Sequence, residues 1–216
     1  MNNQSRKEQF SVLYPVEPAF RWTQIEQAFF NQKFSGWNDI LNLPNNMRQT
    51  LADNVPWISC QLSDLQKDKA GDTFKAALKL TDGEKIETVL MANARGQFSV
   101  CVSTQVGCAM NCAFCATGKM GLKRNLTADE IVDQLRFWRS YLKEKKSSDE
   151  RISNIVLMGM GEPLANYDSV KTALNAWLKF TDIGPTHITV STVGLLQQLE
   201  TLLIDKNWPP VRLAIS

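Results

Sequence analysis

The sequence predicts an α/β fold, a parallel sheet alternating with helices, preceded by a small helical domain and a β-hairpin. Three observations carry that expectation. From Phe98 onward a strand, loop, helix pattern repeats, and strands that alternate with helices pair in parallel through right-handed crossovers. Asp82-Gly83 separates two strand-like runs, a strong hairpin signal. Upstream of both, aromatic residues recur at helical intervals.

The helical domain is expected over residues 1–60. Thr23 and Glu26 have capping-box spacing, and Trp22, Ile25, Phe29 and Phe30 form an apolar stripe. A second helix is expected from Pro44 to Asn54 with Met47 and Leu51 on one face, and Cys60 falls in the connection that follows. Residues 61–97 read as a linker and a hairpin. The stretch 61–72 is polar and charged, and the runs Phe74–Leu80 and Lys85–Met91 flank Thr81-Asp82-Gly83.

The core is expected over residues 98–216. Phe98–Gln105 is its first strand, followed by a cysteine-rich loop. Thr127-Ala-Asp-Glu130 is a capping box that opens a helix with Ile131, Leu135, Trp138 and Leu142 on its buried face. Then follow a strand at Ile155–Met158, a helix at Ser169–Phe180, a strand at His187–Ser191, a helix at Leu195–Ile204 and a strand from Val211 to Ile215. About four strands do not close a barrel. The expectation is therefore the front part of a larger protein, with an unpaired sheet edge.

Composition narrows the class without naming a partner. Lys and Arg number 24 against 22 acidic residues, a net charge of +2 over 216 residues. Basic residues do cluster, with Lys119, Lys123 and Arg124 after the cysteine loop and Arg136, Arg139, Lys143, Lys145 and Lys146 on the next helix. Such a run is usually a solvated face, with nucleic-acid contact as the alternative. The N-terminus lacks the apolar core of a signal peptide and no apolar run reaches membrane-spanning length, so a cytoplasmic location is expected. In that compartment five cysteines read as ligands or catalytic thiols before they read as disulfides. The single histidine, His187, excludes a His-rich metal site and is expected to be structural.

The chemistry is written in three loops. Cys108, Cys112 and Cys115 stand at C-x3-C-x2-C spacing. Three thiolates hold three irons of a four-iron cluster and leave the fourth open to a small chelating molecule. With Cys101 as a fourth thiolate the set also fits a structural zinc, although zinc sites favour paired C-x2-C knuckles. Gly159-Met-Gly-Glu-Pro163 follows the second strand, at the carboxyl end where parallel α/β folds bind ligands. The Glu162 carboxylate suits an ammonium group. A dinucleotide loop would place a third glycine where this chain has Leu164. Ser191-Thr-Val-Gly194 follows the third strand at the same end, and by itself reads equally as a helix cap.

The cysteine spacing resembles the signature of radical S-adenosylmethionine enzymes, in which the methionine amino and carboxylate groups occupy the open iron. The longer run from Cys101 to Leu126, with Val156–Pro163 and Ile188–Thr192, resembles the RlmN family, which methylates C2 of an adenine in 23S ribosomal RNA and in certain transfer RNAs. Phe20–Ile25 is similar to that family's small RNA-binding domain, and Leu122 departs from the aromatic residue usual there.

The resemblance implies a partial radical SAM (β/α) barrel and a set of roles. Cys108, Cys112 and Cys115 would hold a [4Fe-4S] cluster, and Gly161, Glu162, Ser191 and Ser216 would contact S-adenosylmethionine. Glu87 matches the family's proton acceptor, and Cys101 the thiol that forms a transient disulfide with a C-terminal cysteine. That second cysteine carries the transferred methyl group and has no counterpart among these five, so residues 1–216 alone are expected not to transfer a methyl. Implied partners are 23S rRNA and tRNA, an electron donor such as flavodoxin with its reductase, no membrane, and a monomeric state. The related adenine C8 methyltransferases and a zinc-bound RNA-binding module without catalysis are the alternative readings.

Overall fold

The computed structural model describes residues 4–93, 96–145 and 151–216 and divides into two compact units, one ending at Ser59 and one beginning at Cys60. The first unit is helical: α1 (Arg6–Leu13), α2 (Ala19–Phe29) and α3 (Asn45–Asn54). Phe10, Trp22, Ile25, Phe29, Trp37, Met47 and Leu51 form its core. Phe29 meets Trp37 and Trp57 edge to face at 5.4 and 5.1 Å, the arrangement that ring quadrupoles favour.

The capping box of this unit is not the expected one. Thr23 lies inside α2, where its hydroxyl turns back to the Ala19 carbonyl, because Pro18 occupies the N-cap and starts the helix earlier. The box belongs to α1: the Glu8 N–H donates to Ser5 Oγ and the Ser5 N–H donates to the Glu8 carboxylate.

The second unit is built on a seven-stranded sheet. Its elements are β1 (Cys60–Lys67), β2 (Thr73–Leu80), β3 (Lys85–Ala92), β4 (Phe98–Cys101), β5 (Gln105–Gly107), the single turn α4 (Ala116–Lys119), β6 (Leu122–Asn125), α5 (Ala128–Glu144), β7 (Ile152–Leu157), α6 (Tyr167–Phe180), β8 (Ile188–Thr192), α7 (Leu196–Ile204) and β9 (Arg212–Ile215). The strand order is β1-β2-β3-β4-β7-β8-β9, with β5 and β6 a separate pair. Neighbours are antiparallel from β1 to β4 and parallel from β4 to β9. The four parallel strands and the hairpin stand as the sequence implies.

Two expectations need correction. Residues 61–67, read as linker, belong to β1, which pairs with β2 along its length. The strand expected over Phe98–Gln105 ends at Cys101. There the chain leaves the sheet, and Gln105–Gly107 pairs with β6 instead.

The sheet has two unlike faces. On one, Ala76, Leu78, Ile86, Leu90, Val100, Ile155 and Val190 are fully buried. α5 lies over its front part, where Trp138 Nε1 donates to Thr88 Oγ1 and Tyr141 meets Phe74 edge to face. α6 packs beside α5 and turns Val170, Ala173, Leu174 and Trp177 inward. The capping box at Thr127 and Glu130 forms as expected. The opposite face is less covered, and strand alternation delivers a different set of residues to it. No helix among the described residues is long and apolar enough to cross a membrane.

Candidate active site

Pairing register shows what the open face displays. One straight cross-strand row runs Lys75, Val89, Cys101, Val156, Thr189 and Arg212. The next row, toward the carboxyl ends of the parallel strands, includes Ala77, Glu87, Ser191 and Ala214. Glu87, Cys101 and Ser191, drawn from β3, β4 and β8, therefore share one face. The residues flanking them, such as Ile86, Thr88, Val100, Val190 and Thr192, are buried on the other.

Glu87 is exposed and its Oε1 pairs with Lys75 Nζ at 3.1 Å. Its backbone is held more firmly: its N–H points at Met160 Sδ, and its carbonyl accepts from Ser103 Oγ at 2.6 Å. The Cys101 thiol lies largely buried, which pushes its pKa up, and the Met158 backbone N–H offsets part of that rise. Below it, Thr88 Oγ1 donates to the Cys101 carbonyl and in turn accepts from Trp138.

Glu162 is 3 % exposed. Its carboxylate accepts from the Leu164 N–H, Thr192 Oγ1 and the Val193 N–H at 2.9, 2.7 and 2.9 Å, so it ties the loop after β7 to the loop after β8. A carboxylate offers about four lone-pair positions. One remains for a donor such as an ammonium. The glycines beside it are required by crowding: a Cβ on Gly159 would lie 2.7 Å from Ser103 Oγ, and one on Gly161, at φ +102°, would lie 2.6 Å from Gln105 Cβ. Ser216 follows β9, and its N–H donates to the Thr192 carbonyl.

Cys108, Cys112 and Cys115 lie on one loop whose stem is closed by the Cys108 N–H donating to the Gly121 carbonyl and by β5–β6 pairing. Gly107, at φ +78°, has no room for a side chain, since a Cβ would overlap the Gly121 carbonyl. None of the five cysteines is in a disulfide. Among the described residues no three His, Cys, Asp or Glu side chains converge to hold a metal ion. The donor set nevertheless fits an iron–sulfur cluster, being three thiols on a short closed loop, and sites of this kind gather their ligands as metal–sulfur bonds form.

The basic cluster is largely neutralised. Lys123 pairs with Glu84, Arg124 with Asp82 and Glu130, Arg136 with Asp133, and Arg139 with Asp182. Lys145 lies over the rings of Phe74 and Tyr141, and Lys146 is outside the described residues. His187, expected to open the third strand, ends the turn just before β8, with Nδ1 2.8 Å from Asn154 Oδ1. The sequence does not single out Ser103, Gln105 and Asn166, which with Thr192 of the Ser191–Gly194 loop bond the loops to one another. Their partners are distant in sequence, so no local pattern marks them.

The model of the radical SAM superfamily matches residues 102–216. Relatives named probable dual-specificity RNA methyltransferase RlmN include proteins of Chlorobium phaeobacteroides, 40% identical over 208 residues, and of Dictyoglomus turgidum, 42% identical over 204. Each alignment covers 93% of this chain and 56% of the relative, so the chain spans about half the length of the curated relatives it matches. The crystal structure of a radical SAM methyltransferase from Sphaerobacter thermophilus superposes with a TM-score of 0.81 at 33% identity, covering 99% of this chain and 62% of that one. The four parallel strands and their helices are thus a partial (β/α) barrel of that type, and the chain belongs to the radical SAM superfamily.

Proposed function

We propose that this chain is the amino-terminal portion of an RNA methyltransferase that acts on C2 of adenine in 23S rRNA and tRNA. The observation that carries the reading is the gathering of Glu87, Cys101 and Ser191 on one sheet face, with the cysteine and glycine loops at the strands' carboxyl ends. Family likeness supports the rest.

On this reading Cys108, Cys112 and Cys115 hold a [4Fe-4S] cluster, while Gly161, Glu162, Ser191 and Ser216 bind S-adenosylmethionine. When bound, the cluster supplies the single electron that cleaves the sulfonium, chemistry an electron-poor ring carbon requires because it cannot act as a nucleophile. Glu162 offers its remaining lone pair to an N–H of the methionine amino group. Glu87 takes the C2 proton, a general-base step open to a carboxylate within hydrogen-bond reach. The Cys101 thiolate attacks the sulfur that links RNA to the methyl-carrying cysteine: the disulfide forms as the carbon–sulfur bond breaks, and the carbon leaves with the bonding pair and takes up a proton, releasing the methylated base. Since burial raises the Cys101 thiol, that release speeds up as pH rises.

The helical unit serves as an RNA-binding accessory domain. The other partners are a cytoplasmic electron donor such as flavodoxin with its reductase, and the protein works as a monomer.

The test is to express the gene through its complete frame in cells lacking other adenine C2 methylation and to digest their RNA to nucleosides. Mass spectrometry should find 2-methyladenosine; 8-methyladenosine alone, or no methylated adenosine, refutes the proposal. Anaerobic reconstitution of residues 1–216 with iron and sulfide should give a reduced-cluster paramagnetic signal that changes with S-adenosylmethionine. A protein that retains only zinc would support the non-catalytic alternative.

A further inference from the structure

The stem of the cysteine loop and the loop carrying Glu162 are joined by carboxamides. Gln105, buried at the start of β5, accepts the Glu162 N–H on Oε1 at 2.9 Å and donates through Nε2 to Asn125 Oδ1 at 2.7 Å. Asn166, also buried, donates through Nδ2 to the Thr104 and Leu126 carbonyls, both at 2.8 Å. The Thr104 and Gln105 N–H groups in turn donate to the Met160 carbonyl. Residues 104–105 and 125–126, which bracket the cysteine loop, are thereby fastened to residues 160–166.

We propose that Gln105, supported by Asn125 and Asn166, is a positioning residue that fixes the distance between the cysteine loop and the Glu162 loop. The inference rests on the proposed function. A cofactor whose amino group chelates a metal on the first loop while an N–H of that group meets Glu162 must span the two, and its binding weakens if they drift apart. Carboxamides suit the task because each donates and accepts at once, and they place no extra charge beside the buried Glu162 carboxylate. Gln105 also packs against the Cα of Gly161, where a Cβ would collide with it, so the joint is both hydrogen-bonded and sterically close.

The test uses residues 1–216 with three variants. Gln105→Met removes both bonds with little change of volume. Asn125→Leu, at an exposed position, removes the acceptor for Gln105 Nε2 together with the long Nδ2 donation to the Ala165 carbonyl at 3.4 Å, and Asn125→Asp restores the acceptor alone. In the protein without iron, amide hydrogen exchange at Glu162 should be at least about tenfold faster in Gln105→Met than in wild type. After reconstitution, iron content should be unchanged in all three. The S-adenosylmethionine concentration that half-converts the paramagnetic signal should rise about fivefold or more in Gln105→Met and Asn125→Leu, the size expected for one lost hydrogen bond, and stay near wild type in Asn125→Asp.

Equal cofactor requirement in wild type, Gln105→Met and Asn125→Leu overturns the proposal and leaves the functional reading intact. Should Gln105→Met not fold, the two Asn125 variants decide by the same criterion. A wild-type signal indifferent to S-adenosylmethionine sinks the functional reading and this inference with it.

Discussion

The two loops at the carboxyl ends of the parallel strands are built in opposite ways. In the Glu162 loop residues 162–164 are buried and the carboxylate accepts three hydrogen bonds, with glycines at 159 and 161 where no side chain fits. The cysteine loop is closed only at its stem, and its middle is open, with Phe114 94% exposed. On the proposed function, the difference matches what each loop would hold. Hydrogen bonds to a small organic cofactor demand donors and acceptors fixed beforehand, whereas metal–sulfur bonds are strong enough to order their own ligands.

That contrast can be broken by mutation. The largest effect belongs to Gly161→Ala, which puts a Cβ into Gln105 and forces alanine to φ +102°. Thermal or denaturant unfolding should show a loss of about 3 kcal/mol. Glu162→Gln comes next: the amide accepts two of the three donors at most and turns an N–H toward that of Val193, leaving it unsatisfied, for about 2 kcal/mol in the same measurement. Phe114→Ala in the cysteine loop should change the stability of the iron-free protein by less than about 0.5 kcal/mol. A loss there as large as at Gly161 would show that both loops are rigid before any metal arrives.

Cys101 sharpens the comparison from the sheet side. Because burial raises its thiol, less thiolate is present at a given pH than in an unburied cysteine. Its alkylation by iodoacetamide, followed by mass spectrometry, should be slower than that of free cysteine near neutral pH and should keep rising above the pH at which free cysteine levels off. A profile superimposable on that of free cysteine would contradict the burial.

How much of this was legible beforehand differed by element. Strong side-chain periodicity survived folding: the α5 stripe of Ile131, Leu135, Trp138 and Leu142, its Thr127 cap and the Asp82-Gly83 hairpin all stand where the pattern placed them. β1 was invisible because it lies at the sheet edge with most of its side chains exposed, so only backbone pairing makes it a strand. Thr23 misled because spacing alone ignores the proline that started the helix earlier. In the site, the cysteine spacing and the glycine loop announced themselves. Glu87 and Cys101 entered through family likeness, being ordinary strand residues by pattern. Gln105, Asn125 and Asn166 carried no signal, since a carboxamide's usefulness depends on partners far away in sequence.

The alternation that brings Glu87 to the same side as Cys101 also makes the hairpin sensitive to the parity of its length. Removing one residue between Glu87 and Val89 would turn the carboxylate toward the helices, where Ile86 and Thr88 now lie. Removing two, Thr88 and Val89, would keep it on its own side but shift it about 7 Å along the strand, two steps of an antiparallel rise. Length changes in this hairpin are therefore better absorbed at the Thr81–Glu84 turn, provided Asp82 and Glu84 still reach Arg124 and Lys123.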